Sequence, residues 1–290
     1  MPLPTVRIVT DSTADIPPEI ARELDITVVP ANVQFGSESF RDGVDLSRDA
    51  FYQRLVTDPV LPTTSAPAVG VFAEAYRQVA ARARAAGQPF SGIVAVHLAA
   101  RLSALYNSAR LGAEDVPDVP VRLVDSQQIS IGTGLLAIAA ARAAKQGMGL
   151  DEVAALVEQR VPHVRLLAML DTLEYIRRSG RLGKAKWLLG TLLHIKPIIE
   201  VRQAEVLPPV ELPRTRSQAL DRLAEMAAEL APFEELAVMH ARAPDLAESL
   251  QHRLGRLHPP ECIILGEVGV TIGTYAGPGA VGFICVRRQA

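Results

Sequence analysis

Short apolar runs alternate with amphipathic stretches along most of this chain. Residues 6–10, 92–98 and 121–124 are near-continuous apolar segments of strand length, the pattern of strands covered on both faces. Each leads into a polar loop and then into residues with helical spacing. Pro17 suits the first turn of a helix over 17–24, and Ser47 is placed to cap a helix carrying Phe51, Tyr52 and Leu55. Between them, 26–33 reads as a second strand and 35–45 as a polar hairpin. The hydroxyls of 63–65 precede a helix through Phe72, Tyr76 and Val79, and further helices are predicted over 103–112, 134–146 and 151–161. A second series follows: a strand at 165–171, paired strands at 195–202 and 205–212, a helix at 217–230, a strand at 235–240, a helix at 244–257, and strands at 262–267 and 280–287.

This alternation predicts an α/β protein of two α/β domains. The N-terminal one, 1–163, has a mostly parallel sheet with flanking helices; the C-terminal one, 164–290, has a mixed sheet with helices, and the segment near 62–75 packs on it. Parallel sheets bind ligands beyond the carboxyl ends of their strands. Hydroxyl-rich loops stand at such places here: Asp11-Ser12-Thr13, Thr63-Thr64-Ser65 and Asp125-Ser126, with Ser103 opening a helix. In the second half, 272–280 gathers Gly273, Gly277, Pro278 and Gly279 around Tyr275, which reads as a turn that lets main chain approach a ligand. If the turn meets the loops of the first half, the site lies in an interdomain cleft.

Composition narrows the ligand. A net charge of −2 over 290 residues gives no general attraction to nucleic acid or acidic membranes, and no apolar run is long enough to span a bilayer. The amino-terminal residues lack the cationic and apolar segments of a leader, so a cytoplasmic protein is expected. Cys262 and Cys285 sit in apolar runs, where buried thiols are expected and no disulfide framework is implied.

The candidate chemistries are then few. Gly277 to Gly282 matches a dinucleotide glycine pattern, but no helix can follow it and a proline interrupts it. The six histidines are scattered, so no metal and no cofactor are expected. Ser103 lacks the elbow glycines of a hydrolase nucleophile; it is either a helix cap or a ligand contact. What remains is a set of neutral donors, Thr64, Ser65, Ser103 and Tyr275, with helix-start amides. Such donors suit a carboxylate, and a carboxylate on a long apolar tail would suit so sparing a use of polar groups. The cations of 177–186, with Arg214 and Arg216, form either a solvated face or a surface for phosphate or a partner.

In their order along the chain, Asp11-Ser12-Thr13-Ala14-Asp15, Phe40-Arg41-Asp42-Gly43, Thr64-Ser65-Ala66-Pro67, Leu102-Ser103, Arg178-Ser179-Gly180-Arg181, Ile195-Lys196-Pro197 and Gly277-Pro278-Gly279 resemble the DegV family of bacterial fatty-acid-binding proteins. The resemblance implies two α/β domains holding one long-chain fatty acid in a tunnel between them. It implies that the carboxylate is bound by Thr64 and Ser103, with Tyr275 and Ser65 as further donors, and that the protein is a carrier without catalysis of its own. The implied partner is an ATP-dependent fatty acid kinase, which makes an acyl phosphate for phospholipid synthesis; Arg178, Arg181, Arg214 and Arg216 are its candidate contacts. The chain departs from the family where it has Tyr275 in place of a usual histidine, and Ala99-Ala100 in place of two serines. Two other readings use the same cleft: an enzyme acting on a small carboxylate or phosphorylated substrate through His97 or Asp11, and a lipid-sensing interaction protein.

Overall fold

The computed structural model describes residues 5–87, 89–178 and 195–288. A four-stranded parallel sheet has the order β2-β1-β6-β7, formed by Ile26–Val29, Thr5–Asp11, Phe90–His97 and Val121–Asp125. Its strands alternate between two apolar environments. Ile93 and Ala95 of β6 pack with Phe72, Ala73 and Tyr76 of α3 (Val69–Ala85) and Ala109 of α4 (Leu105–Glu114). Val94 and Val96 point the other way, into the largest core cluster with Leu135 and Ile138 of α5 (Ile131–Lys145). Both faces are therefore covered, and this is why the strands read as continuous apolar runs.

The second sheet is mixed and six-stranded, in the order β10-β9-β8-β13-β11-β12: Glu205–Val206, Ile198–Arg202, Val164–Met169, Val281–Arg287, Phe233–His240 and Ile263–Glu267. Leu167, Met169, Leu236, Val238, Phe283 and Cys285 face Leu220 and Leu223 of α8 (Arg216–Leu230) and Leu250 of α9 (Pro244–Leu254). Their neighbours in sequence, Leu166, Ala237, Met239 and Ile284, face the cluster that contains α5. Helix α5 touches strands of both sheets and is buried on all sides, with eleven of its fifteen residues in the interior. A helix apolar all round belongs in such a place. The first sheet ends at Asp125 and the second begins at Val164, and α5 with α6 (Leu150–Arg160) fills the interval.

The structure redraws four predicted segments. Residues 26–33 are two strands, because Pro30 lacks the N–H that a continuing ladder needs; Asn32–Phe35 (β3) instead joins a small antiparallel sheet with Glu38–Arg41 (β4). Residues 63–65, expected as a loop before a helix, are a strand, β5, on the other edge of β3. The strand expected over 205–212 stops at Val206, cut short by Pro208 and Pro209, although Leu207 and Val210 still donate to carbonyls of β9. Most consequential is 272–280. Only its end is a turn, with Gly277 and Gly279 at φ 70° and 85°; Val270–Ala276 is a helix, α10. Of the two thiols expected to be buried, Cys285 is and Cys262 is exposed, since Cys262 ends a short 3-10 turn before β12. Among the described residues no helix is long and apolar enough to cross a membrane.

Candidate functional site

A cavity of about 350 Å³ lies between the inner face of the six-stranded sheet and the strand ends of the four-stranded one. Strand alternation supplies one wall: Leu166 and Ala168 of β8, Ile199 and Val201 of β9, and Ile284 of β13 all project to the same side. Leu170, Ile176, Met239 and Val268 extend this apolar surface. The polar part of the lining is hydroxylic. Among the described residues every polar side chain in the lining is a hydroxyl, from Thr13, Thr64, Ser65, Ser103, Ser130, Thr271 and Tyr275.

Three of these hydroxyls are engaged with buried carboxylates. Thr13 donates to Asp11, Ser130 to Asp15, and Thr271 to Asp42 at 2.8 Å. The remaining four are the ones expected from the sequence. Thr64 is the middle residue of β5, opposite the fully buried Val33, so it faces inward while Thr63 and Ser65 are exposed on the other side. Its Oγ1 meets the phenol of Tyr275, across 211 residues of chain. Whichever oxygen donates, the pair carries a second O–H. Ser103 sits two residues before α4 and accepts the Leu105 amide at 3.2 Å, leaving its own proton to donate. Its loop is pinned beneath: Ala99 N donates to Gln128 O at 3.0 Å and Ala100 N to the Asp125 carboxylate at 3.1 Å. Ser65 borders the cavity from the exposed edge.

Tyr275 reaches Thr64 because α10 is held from the first half of the chain. Its N-cap is Gly269, which has no side chain to offer. The first amides are met instead by Asp15, which accepts Gly269 N at 2.8 Å, and by Asp42, which accepts Val270 N at 3.3 Å and Thr271 N at 3.1 Å. Tyr52 donates to Val268 O at 3.1 Å. Gly273 lets α10 close on α2 (Arg48–Thr57): a Cβ there would lie 2.6 Å from the Tyr52 hydroxyl. Burial pushes the Asp15 carboxyl up to about 7, although Arg48 and the Ser130 and Gly269 hydrogen bonds oppose it. Burial also raises Asp42, against its bonds from Thr271 and Ser12.

His97 and Asp11 are apart from this surface. Both are completely buried, with His97 Nδ1 2.9 Å from Asp11 Oδ2, and neither lines the cavity. Their pairing, with Tyr76 3.4 Å from the other ring nitrogen, ties β1 to β6 and leaves no geometry for contact with a substrate there. Arg178, Arg214 and Arg216 also lie outside the lining. Arg178 pairs with Glu174, Arg216 shares Asp171 with Lys196 at 2.9 and 2.7 Å, Arg214 is exposed, and Arg181 lies outside the described residues. Asp171, which holds Arg216 and Lys196, follows Leu170 of the cavity wall in sequence. From sequence, no role is assigned to the hydroxyls of Ser130 and Thr271, and the carboxylates behind them enter only as members of the motifs at 11–15 and 40–43. Ser130 carried no usable signal, and Thr271 was hidden in a glycine-rich segment without a helical pattern.

A solved structure of a Thermus thermophilus DegV family protein, described by its fatty acid binding, superposes with a TM-score of 0.87 at 27% identity, covering 98% of this chain and 100% of that one. DegV of Bacillus subtilis, described as a fatty acid binding protein, gives 0.83 at 30% identity over 98% and 99%. A DegV domain-containing protein of Streptomyces coelicolor is 38% identical over 287 residues, 98% of this chain and 99% of the relative. The model of the DegV family, described as uncharacterised proteins, matches residues 5–288. With a match of that extent, and the same arrangement of one parallel and one mixed sheet, the chain belongs to the DegV family.

Proposed function

We propose that this protein binds one long-chain fatty acid in the cavity, with the carboxylate at the hydroxyls and the alkyl chain along the six-stranded sheet. The observation that carries the reading is the make-up of the lining: an apolar wall, polar side chains that are all hydroxyls, Thr64 and Tyr275 in contact, and no charged side chain among the described residues. Thr64, Ser103 and Tyr275 are the carboxylate donors, with Ser65 secondary. A carboxylate accepts several hydrogen bonds without a cationic partner when the donors converge, and Ser103 adds the positive end of α4. The tail favours burial by ~0.8 kcal/mol per methylene. The fatty-acid-binding descriptions of the Thermus and Bacillus proteins support the same ligand class.

Among the described residues the polar side chains of the lining are all hydroxyls, which suits a carrier, and on this reading the protein presents its ligand rather than converting it. Its partner on this reading is an ATP-dependent fatty acid kinase that converts the presented carboxylate to an acyl phosphate, with Arg178, Arg181, Arg214 and Arg216 as contacts. The test is to denature the purified protein, extract it with organic solvent and identify the extract by mass spectrometry. A stoichiometric long-chain fatty acid is expected. An empty extract, together with failure to take up added palmitate, would refute the reading.

A further inference from the structure

Two motifs, 11–15 and 40–43, have no part in the carrier function as described, yet each delivers one buried carboxylate to the same place. Asp15 and Asp42 are 3% and 5% exposed. Neither lines the cavity, but each holds a hydroxyl that does, Ser130 and Thr271, and each accepts amides at the start of α10. The bonds span 254 and 229 residues of sequence. Gly269 is required for the approach, since a Cβ there would lie 2.6 Å from Asp15 Oδ1. No side chain of the helix could replace these acceptors, and unmet amides at a buried helix start are costly. One turn further on, the same short helix presents Tyr275 to Thr64.

We propose that Asp15 and Asp42 are positioning residues for the lipid head group: they clamp the first turn of α10 and thereby set where Tyr275 stands against Thr64. This rests on the fatty acid reading only for the identity of the ligand; the clamp is a property of the chain itself. An asparagine at 42 has one acceptor oxygen and an NH2 group where Asp42 now takes bonds from Val270, Thr271 and Ser12, so the helix start would lose partners even with the shape preserved.

The clamp also has a predictable response to pH. The titratable and charged groups acting on Asp15 are Arg48, which favours its ionisation, and Asp42, which opposes it. Tyr52 also faces Asp15, and Glu267 faces Tyr52. With burial dominant, the closed clamp keeps a proton that a solvated aspartate would release near pH 4. Closing therefore takes up a proton between the ordinary carboxylate range and about 7. The clamp is tightest at the acid end, loosens by up to roughly tenfold per pH unit, and levels off above about 7.

Hydrogen exchange by mass spectrometry on the full chain reads this directly, through the protection of amides 269–276 after correction for the intrinsic rate. Protection should fall by at least roughly tenfold in Asp42→Asn, and its decline from pH 5.5 to 7.5 should flatten in Asp15→Asn. In parallel, Asp42→Asn should lower the preference for palmitate over hexadecanol by roughly tenfold, as Tyr275→Phe should, with little further loss when the two are combined. If Asp42→Asn does not fold, Asp15→Asn carries the same test through its pH profile. Unchanged protection and an unchanged pH profile would overturn the clamp. Lost protection with an unchanged palmitate preference would overturn its link to the head group. Should the wild type bind no palmitate while exchange behaves as expected, the clamp stands and the lipid reading falls.

Discussion

Replacing Thr64 by valine tests the head-group assignment with the least disturbance. Valine keeps the branched shape and strand preference of the middle residue of β5, so the packing beside Val33 is preserved. What is lost, on the proposed reading, is one donor to the carboxylate, together with the contact to the Tyr275 phenol. A hydrogen bond to a charged group contributes ~1.5–3 kcal/mol, which predicts palmitate binding weaker by roughly 10- to 150-fold. The tail still offers ~11 kcal/mol of gross burial from its methylenes, so hexadecanol, which forms only neutral bonds, should weaken by about tenfold at most. The assay is a competition titration against a fluorescent fatty acid, with thermal unfolding as the check on folding. Because Tyr275 loses its contact with Thr64 in the same variant, adding Tyr275→Phe should cost less than it does alone. Equal losses for acid and alcohol, or undiminished palmitate affinity in a folded protein, would refute the carboxylate site at Thr64.

Other expectations follow from the same geometry. Ala168→Phe places a ring on the cavity wall between Gly282 and Ile199; the preference for palmitate over laurate, worth up to ~3 kcal/mol for four methylenes, should shrink or invert in the same competition assay. Leu136→Ala, in the middle of α5 and 0% exposed, should cost ~2–5 kcal/mol in urea unfolding, a loss that an exposed position would not show. For Asp15, the folded state binds the proton more tightly than the unfolded chain, so its contribution falls as pH rises from about 4 to about 7 and is constant above that. The difference in unfolding free energy between wild type and Asp15→Asn should change by a few kcal/mol across that window, on the order of 1.4 per pKa unit. A difference independent of pH would show that Asp15 is not buried as described.

The parts of the fold that sequence made legible are those with a local cause. Strands β1, β6 and β7 are apolar because both faces are covered, and Ser47 caps α2 as its position suggests, accepting the Ala50 amide at 3.2 Å. Thr64, Ser103 and Tyr275 were visible as isolated hydroxyls in otherwise weakly polar surroundings. Residues 63–65 were not visible as a strand, since three polar residues paired only to β3 have no periodicity of their own. Helix α10 was hidden for a stronger reason. Its Val, Thr and Gly residues are poor helix formers, and its start is capped by Asp15 and Asp42 rather than by any neighbour in sequence. The carboxylates themselves read as loop residues, because their role exists only once the two halves of the chain have met.

Helix α10 and strand β13 are synthesised after everything they pair with. Strand β13 lies between β8 and β11 in the middle of its sheet, and α10 answers carboxylates laid down more than two hundred residues earlier. A nascent chain that has reached only residue 265 on the ribosome thus has an unfinished sheet, two buried-type aspartates that still lack the donors of α10, and an open side where Tyr275 and Ile284 will stand. It can neither close its cavity nor satisfy its own interior. Contacts so distant in sequence close slowly, so the protein passes through a stage with its apolar wall exposed. A chaperone waiting at the tunnel exit would meet that surface before the sheet closes over it.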